Sequence, residues 1–256
     1  MKKFIMKSQR SEPQTTNRKL QTINSQPIFV TGIGTGIGKT LVSAIITEAL
    51  QADYWKPIQA GYDNGTDSEW IKEVLDNNKS KIHTEAYKLK LAASPHIAAR
   101  EEGLRIDLDV ILNAYKKIKQ KELIINNDAP TSDDQPSAIL HCTSYILEGA
   151  GGLLVPLNEK EFVIDLIRKL NAKVILVSRN YLGSINHSLL TAAICKRENI
   201  DVIGWVFSDQ YLSYEDEIVT WSGFPKICSI PYSEKTDKNF VSQQAQVIKS
   251  KLLELL

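Results

Sequence analysis

A lysine and a threonine, Lys39 and Thr40, close the run Gly32-Ile33-Gly34-Thr35-Gly36-Ile37-Gly38, an order of residue types suited to holding a polyphosphate. Glycines permit positive φ and let backbone N–H groups turn inward toward phosphate oxygens, while a helix opening at Lys39 adds partial positive charge. Lys39 is then expected to reach the outer phosphates and the Thr40 hydroxyl to join a magnesium shell. The spacing departs from the strict G-x-x-x-x-G-K-[ST] pattern, whose first glycine falls on Ile33; glycines sit at 32 and 34 instead, so the loop is one residue longer. A dinucleotide fingerprint fails because Ile37 stands where its third glycine belongs. The bland alternative is a flexible strand-to-helix turn with no ligand.

Three further charges invite a functional reading. Lys56, in Trp55-Lys56-Pro57, falls at the expected carboxyl end of a strand, where ligands bind in open α/β sheets. A lysine there faces either phosphates or plain solvent. Asp67, in Gly65-Thr66-Asp67-Ser68, has the look of a helix N-cap or first-turn acid, and needs support from elsewhere to be more. Glu148 ends Ser144-Tyr145-Ile146-Leu147-Glu148 and precedes Gly149-Ala150-Gly151-Gly152. An acid beside a loop that keeps its approach open suits a hard oxygen-binding cation, and glycine runs are costly without a close backbone approach. His83, His96, His141 and His187 lack metal-ligand spacing; His96 and His187 read as hydrogen-bonded helix-start residues. The four tryptophans read as packing residues, Trp205 above all.

To bring these groups together the chain needs strands that end side by side. From Pro27 onward, short β-branched and aromatic runs alternate with helical periodicity, the pattern of β-α units. Strands are expected at Ile28–Thr31, Tyr54–Pro57, Ser144–Glu148, Val174–Ser178, Val202–Phe207 and Lys226–Ile230. Helices are expected at Lys39–Leu50, Ser68–Asn77, Leu108–Lys121, Phe162–Leu170, Asn186–Glu198 and Asp237–Leu255. The fold class that follows is α/β: one P-loop NTPase-like domain over residues 27–256, with a mostly parallel sheet flanked by helices on both faces. Residues 126–143 carry turn formers and read as a surface insertion, unless Leu123–Ile125 begins a strand. Residues 1–26 are basic and polar and read as a flexible leader, with an organellar transit peptide as the alternative.

Bulk properties narrow the partners. The 256 residues are 43% hydrophobic and 24% charged, with 31 basic and 30 acidic side chains, so no global field draws the chain onto nucleic acid or a membrane surface. No run reaches the ~20 apolar residues of a membrane span. Cys142, Cys195 and Cys228 form no C-x-x-C pair, consistent with a reducing, cytoplasmic setting.

Taken in order, Phe29-Val30-Thr31-Gly32…Gly38-Lys39-Thr40, Trp55-Lys56-Pro57-Ile58-Gln59-Ala60-Gly61, Thr66-Asp67-Ser68, Ser94-Pro95-His96-Ile97, Glu148 to Gly152, Leu182-Gly183-Ser184-Ile185-Asn186-His187, Gly204-Trp205-Val206 and Ile230-Pro231 resemble the dethiobiotin synthetase family. The resemblance runs from about Ile28 to Tyr232. It implies a homodimeric ligase that takes 7,8-diaminononanoate, carbon dioxide or bicarbonate, and ATP with Mg²⁺. It also implies the roles of individual residues. Lys39 and Lys56 would be catalytic, and Thr40, Asp67 and Glu148 would hold the metal. Thr35, Gly36, Ile37, Gly38, Lys39, Thr40, Leu41, Asp67, Glu148, Gly149, Ala150, Gly151, Ser208, Asp209, Ile230, Pro231 and Tyr232 would line the ATP site. Ala60, Gly183, Ser184, Ile185 and Asn186 would meet the substrate, the last four across the dimer interface.

Three positions depart from the family's pattern. Ala60 replaces a hydroxyl residue, Gly36 replaces an acid, and Ser208 stands where an asparagine reads adenine, which puts base selectivity in question. The rivals are a P-loop switch or partitioning ATPase, and a small-molecule kinase or amidoligase. Gly34 sits where partitioning ATPases carry an extra lysine, and Asn78-Lys79 is followed by Ser80-Lys81 rather than a guanine-reading N-K-x-D.

Overall fold

The computed structural model describes residues 26–127, 144–209 and 211–256. The expected leader, apart from Gln26, and the expected insertion beyond Asn127 lie outside the described residues. Along the chain the elements are β1 (Ile28–Gly32), α1 (Lys39–Leu50), β2 (Asp53–Trp55), β3 (Ile58–Ala60), α2 (Asp67–Val74), β4 (Ile82–His83), β5 (Tyr87–Leu89), α3 (Pro95–Glu101) and α4 (Leu108–Asn127). They continue with β6 (Tyr145–Glu148), α5 (Val163–Leu170), β7 (Lys173–Arg179), α6 (Ser184–Arg197), β8 (Val202–Ser208), α7 (Glu215–Ser222), β9 (Lys226–Ile230) and α8 (Lys238–Leu255).

Seven strands form one parallel sheet in the order β4-β2-β6-β1-β7-β8-β9. Successive side chains on a strand point to opposite faces, and the central strands β2, β6, β1, β7 and β8 have apolar residues on both. Phe29, Trp55, Leu147, Leu176 and Phe207 join one buried cluster with residues of α4, α5, α6 and α7. Val30, Tyr54, Ile146, Val177 and Val206 join another with residues of α1, α2 and α8. A sheet buried on both sides is the expected consequence of parallel crossovers, and it gives the three-layer α/β fold that the alternating pattern implied.

The order of the strands decides the site. β6 lies between β1 and β2, with Glu148 paired to Val30 and Leu147 to Trp55. The carboxyl ends of β1, β6 and β2 are therefore neighbours, although Glu148 follows Lys56 by 92 residues. At the end of β1 the chain has no room for a side chain: a Cβ on Gly32 would lie 2.1 Å from the Val177 carbonyl oxygen.

The structure differs from expectation mainly in short elements. The Tyr54–Pro57 strand is β2 alone, ending at Trp55, after which the chain leaves the sheet and Ile58–Ala60 pairs with β5 in a separate two-stranded ribbon. β3, β4, β5 and α3, of two to seven residues, are too short to show a period. The eight-residue α7 was also missed; three acids crowd its first turn. Residues Leu123–Ile125 continue α4 and begin no strand, and Asn126 and Asn127, expected in the insertion, still belong to that helix. Trp55 and Trp205 are fully buried as expected, but Trp221 on α7 is 57% exposed and packs no core.

Candidate active site

The phosphate-loop reading is a statement about backbone shape, and the shape is present. Gly38 caps α1 with φ of 90°, a left-handed conformation that glycine adopts without steric cost. Gly36 likewise has φ of 69°. Lys39 and Thr40 then form the first turn of α1, with the Lys39 ammonium turned back to donate to the Gly34 carbonyl at 2.6 Å.

Around that turn four charged side chains converge. Lys56 sits one residue beyond β2 and only 7% exposed, and its ammonium donates to Glu148 Oε1 at 2.9 Å and to Asp67 Oδ2. The Thr40 hydroxyl lies 2.9 Å from Asp67 Oδ1 and 3.0 Å from Glu148 Oε1. Asp67 is the first residue of α2, whose N-cap is Thr66: the Thr66 hydroxyl accepts from the Glu69 N–H while the Glu69 carboxylate accepts from the Thr66 N–H. Such a reciprocal cap fixes the helix start and so fixes where Asp67 points. Asp67 is thus the first-turn acid its sequence context suggested, and a member of the site as well.

Burial and mutual charge set the protonation of this group. Burial pulls the Lys39 ammonium down, Glu148 opposes the fall, Lys56 adds to it, and the pKa settles at about 8. For Lys56, burial also lowers the pKa, but the charges of Glu148 and Asp67 outweigh it and the result lies above the ordinary 10.5. Asp67 is pushed up by burial, but Lys56 prevails and holds its carboxyl below the usual value of 3.8. Tyr54 is pushed well above its ordinary range by burial and by the Glu148 charge, and stays a donor to Glu148 Oε2 at 2.8 Å.

Lys39, Lys56, Asp67 and Glu148 line a cavity of about 590 Å³, large enough for a nucleotide-sized ligand. Thr35, Gly36, Gly38, Lys39, Thr40, Lys56, Ala60, Asp67, Glu148, Gly149, Ala150 and Gly151 all border it. Ile37 and Leu41 instead pack toward the α1 side of the core. Ser208 and Asp209, at the end of β8, are not part of its lining: the Ser208 hydroxyl donates to the Ile37 carbonyl at 3.2 Å, and Asp209 pairs with Arg179 at 2.5 Å. Ile230 is buried at the end of β9, followed by an exposed Pro231 and Tyr232. Gly183, Ser184, Ile185 and Asn186 begin α6 away from the cavity; the Ser184 hydroxyl bonds Tyr214, Ile185 packs on the core, and Gly183 and Asn186 are exposed. His96 and His187 lie in the first turns of α3 and α6 and bond Ser94 and Tyr181.

Two residues of the cavity region were not singled out from sequence. Tyr54 precedes Lys56 by two positions, and strand alternation would have placed both on one side. Gln59 accepts from the Asp67 N–H at 3.3 Å and borders the cavity; it stood inside the Trp55–Gly61 segment without a role.

Residues 26–239 match a family described as an AAA domain. The ATP-dependent dethiobiotin synthetase BioD of Cytophaga hutchinsonii is 46% identical over 218 residues, covering 85% of this chain and 94% of the relative. That of Christiangramia forsetii is 40% identical, covering 89% and 98%. Among solved structures, the MinD cell division protein of Aquifex aeolicus is similar over 90% of this chain and 97% of its own, with a TM-score of 0.52 and 13% identity, a likeness of fold alone. Identity of this extent over nearly the whole length of the relatives places the chain in the ATP-dependent dethiobiotin synthetase family.

Proposed function

We propose that the protein closes the cyclic urea of dethiobiotin from 7,8-diaminononanoate, carbon dioxide and ATP, releasing ADP and phosphate. One amine of the substrate takes up carbon dioxide and loses a proton to become a carbamate. A carbamate oxygen attacks the γ-phosphorus, the bond to the bridging oxygen breaks, and ADP departs. The second amine then attacks the carbamic carbon, loses a proton, and phosphate leaves as the ring closes. Each step gathers anionic oxygens in one place, so fixed cations and donors carry most of the acceleration.

Lys39 and Lys56 supply those cations. Lys39 neutralises the outer phosphates, and Lys56, held between two carboxylates at the end of β2, faces the group in transit. The backbone from Thr35 to Gly38 cradles the triphosphate. Thr40, Asp67 and Glu148 would hold Mg²⁺: their oxygens converge to within 3.0 Å of the threonine hydroxyl, and an all-oxygen set with two carboxylates is the chemistry that ion prefers. When bound, the ion would draw charge from the β- and γ-phosphate oxygens. Gly183 to Asn186 would receive the substrate carboxylate from a second subunit. Supporting a homodimer, Leu154, Leu182 and Leu190 are more than half exposed around this segment; a monomeric mass in sedimentation at micromolar concentration would remove that part of the reading. The use of ATP fits a cytoplasmic setting, and no helix among the described residues is long and apolar enough to cross a membrane.

The observation that carries the proposal is the meeting of Lys56, Asp67, Glu148 and Thr40 beside the phosphate loop. Its test is phosphate release from ATP with bicarbonate and magnesium, which is expected only when the diamine is present. Equal release without the diamine refutes the ligase reading and leaves a simple ATPase.

A further inference from the structure

The departure at Ser208 leaves open which group reads the nucleotide base, and the structure points to a different strand. Asn180 is the first residue past β7 and only 4% exposed. Its main-chain N–H donates to the Ser208 carbonyl at 2.9 Å. Its side-chain Nδ2 donates to the Asp209 carbonyl at 3.1 Å and to Glu215 Oε1 at 2.9 Å. Two acceptors on one side leave no doubt which end of the amide is nitrogen. Glu215 is in turn held by Lys226 at 2.6 Å and by the Ser229 hydroxyl, so the amide is braced from α7 and β9.

The other end of that amide is the anomaly. Asn180 Oδ1 is buried and has no hydrogen-bond partner among the described residues, and native structures keep few such acceptors without a reason. The residue borders a second cavity, of about 400 Å³, whose opposite wall is the phosphate loop from Ile33 to Ile37. Across it runs Arg179, half exposed, joined to Asp209 and reaching the Gly36 carbonyl at 3.5 Å. The Ser208 hydroxyl is tied to the phosphate loop, donating to the Ile37 carbonyl at 3.2 Å.

We propose that Asn180 is the specificity-determining residue for the nucleotide base, its Oδ1 accepting an N–H from the 6-amino group of adenine once Arg179 swings aside. This rests on the ATP-dependent reading above. A base with a carbonyl at that position, such as hypoxanthine or guanine, meets the Asn180 oxygen acceptor to acceptor. Cytosine presents an amino group at the corresponding edge and is tolerated better than uracil.

The test compares ATP with ITP, which differ by amino against oxo at that one position. Two readouts serve: kcat/KM for diamine-dependent phosphate release, and the thermal shift produced by ADP and IDP on the full chain. The wild-type protein is expected to favour ATP by about 100-fold, in keeping with sites that bond a specific polar group. Asn180→Ala should bring the ratio to within about threefold, and Ser208→Ala should keep it. If Asn180→Ala does not fold, Asn180→Ser retains a hydroxyl to donate to Glu215 while lacking the carbonyl, and should show the same collapse of the ratio. Equal use of ATP and ITP by the wild type, or an unchanged ratio in the variant, overturns the assignment while diamine-dependent turnover persists. Loss of diamine dependence would instead overturn the ligase reading, and the ADP and IDP shifts would still decide the role of Asn180.

Discussion

The two halves of the sheet's carboxyl edge are built on different physics. At β2, β6 and β1 the side chains are charged, buried and mutually paired: Lys56 with Asp67 and Glu148, and Thr40 with both carboxylates. At β7, β8 and β9 the buried groups are mostly neutral amides, hydroxyls and backbone carbonyls, and the Arg179–Asp209 ion pair that spans them is substantially exposed. Charge placed where water is scarce acts strongly and is sensitive to any loss of a partner. Neutral hydrogen bonds contribute less to rate but discriminate shape, because an unmatched partner leaves a buried polar group unsatisfied. One half is suited to transferring a phosphoryl group, the other to choosing who delivers it.

Perturbing the charged half is expected to have the larger effects. Lys56→Ala is expected to lower turnover by about 10³-fold while ATP binding stays detectable. It should also cost about 3 kcal/mol of stability, because Glu148 loses its cation while 1% exposed. Turnover near wild type in steady-state assays would return Lys56 to an ordinary paired lysine.

Next in size is a pH effect. With the Lys39 pKa at about 8, kcat/KM for ATP should fall above that pH, by up to about tenfold per unit. Stability moves the other way. Because the folded pKa lies below the unfolded 10.5, the unfolded chain holds more protons between those values, and the Lys39 contribution to stability rises with pH across that window. Lys39→Met should abolish the rise in pH-dependent melting; a profile identical to wild type would show that Lys39 does not titrate there.

Tyr54→Phe removes one donor from Glu148 and is expected to reduce turnover by about tenfold, the size of one hydrogen bond to a charged group. The smallest effect belongs to the other half: Asp209→Ala breaks only an exposed ion pair, and diamine-dependent turnover with ATP should stay within about threefold. A larger loss from Asp209→Ala than from Tyr54→Phe would invert the comparison.

The same division explains what could be read from the chain. Lys39, Lys56, Asp67 and Glu148 were legible because a charge at a strand or helix end next to glycines is unusual enough to stand out, and the order of long elements followed from their periodicity. Asn180 was not, since its significance depends on bonds to Asp209 and Glu215, 29 and 35 residues away, and no local pattern encodes them. The short β3–β5 ribbon escaped for a related reason: three residues contain too little alternation, and their pairing is set by the chain turning at Pro57, whose carbonyl accepts from Ala86 and Tyr87. The helix expected from Asn186 begins at Ser184, and the distance of Gly183 to Asn186 from the phosphate cavity within one chain is a property of the fold that spacing alone does not convey.

The position of Glu148 is measured from its neighbours in the sheet and not from the length of chain that leads to it. Its level is set by the pairing of Glu148 with Val30 and of Leu147 with Trp55. A one-residue slip of β6 against those neighbours would send Glu148 to the opposite face of the sheet.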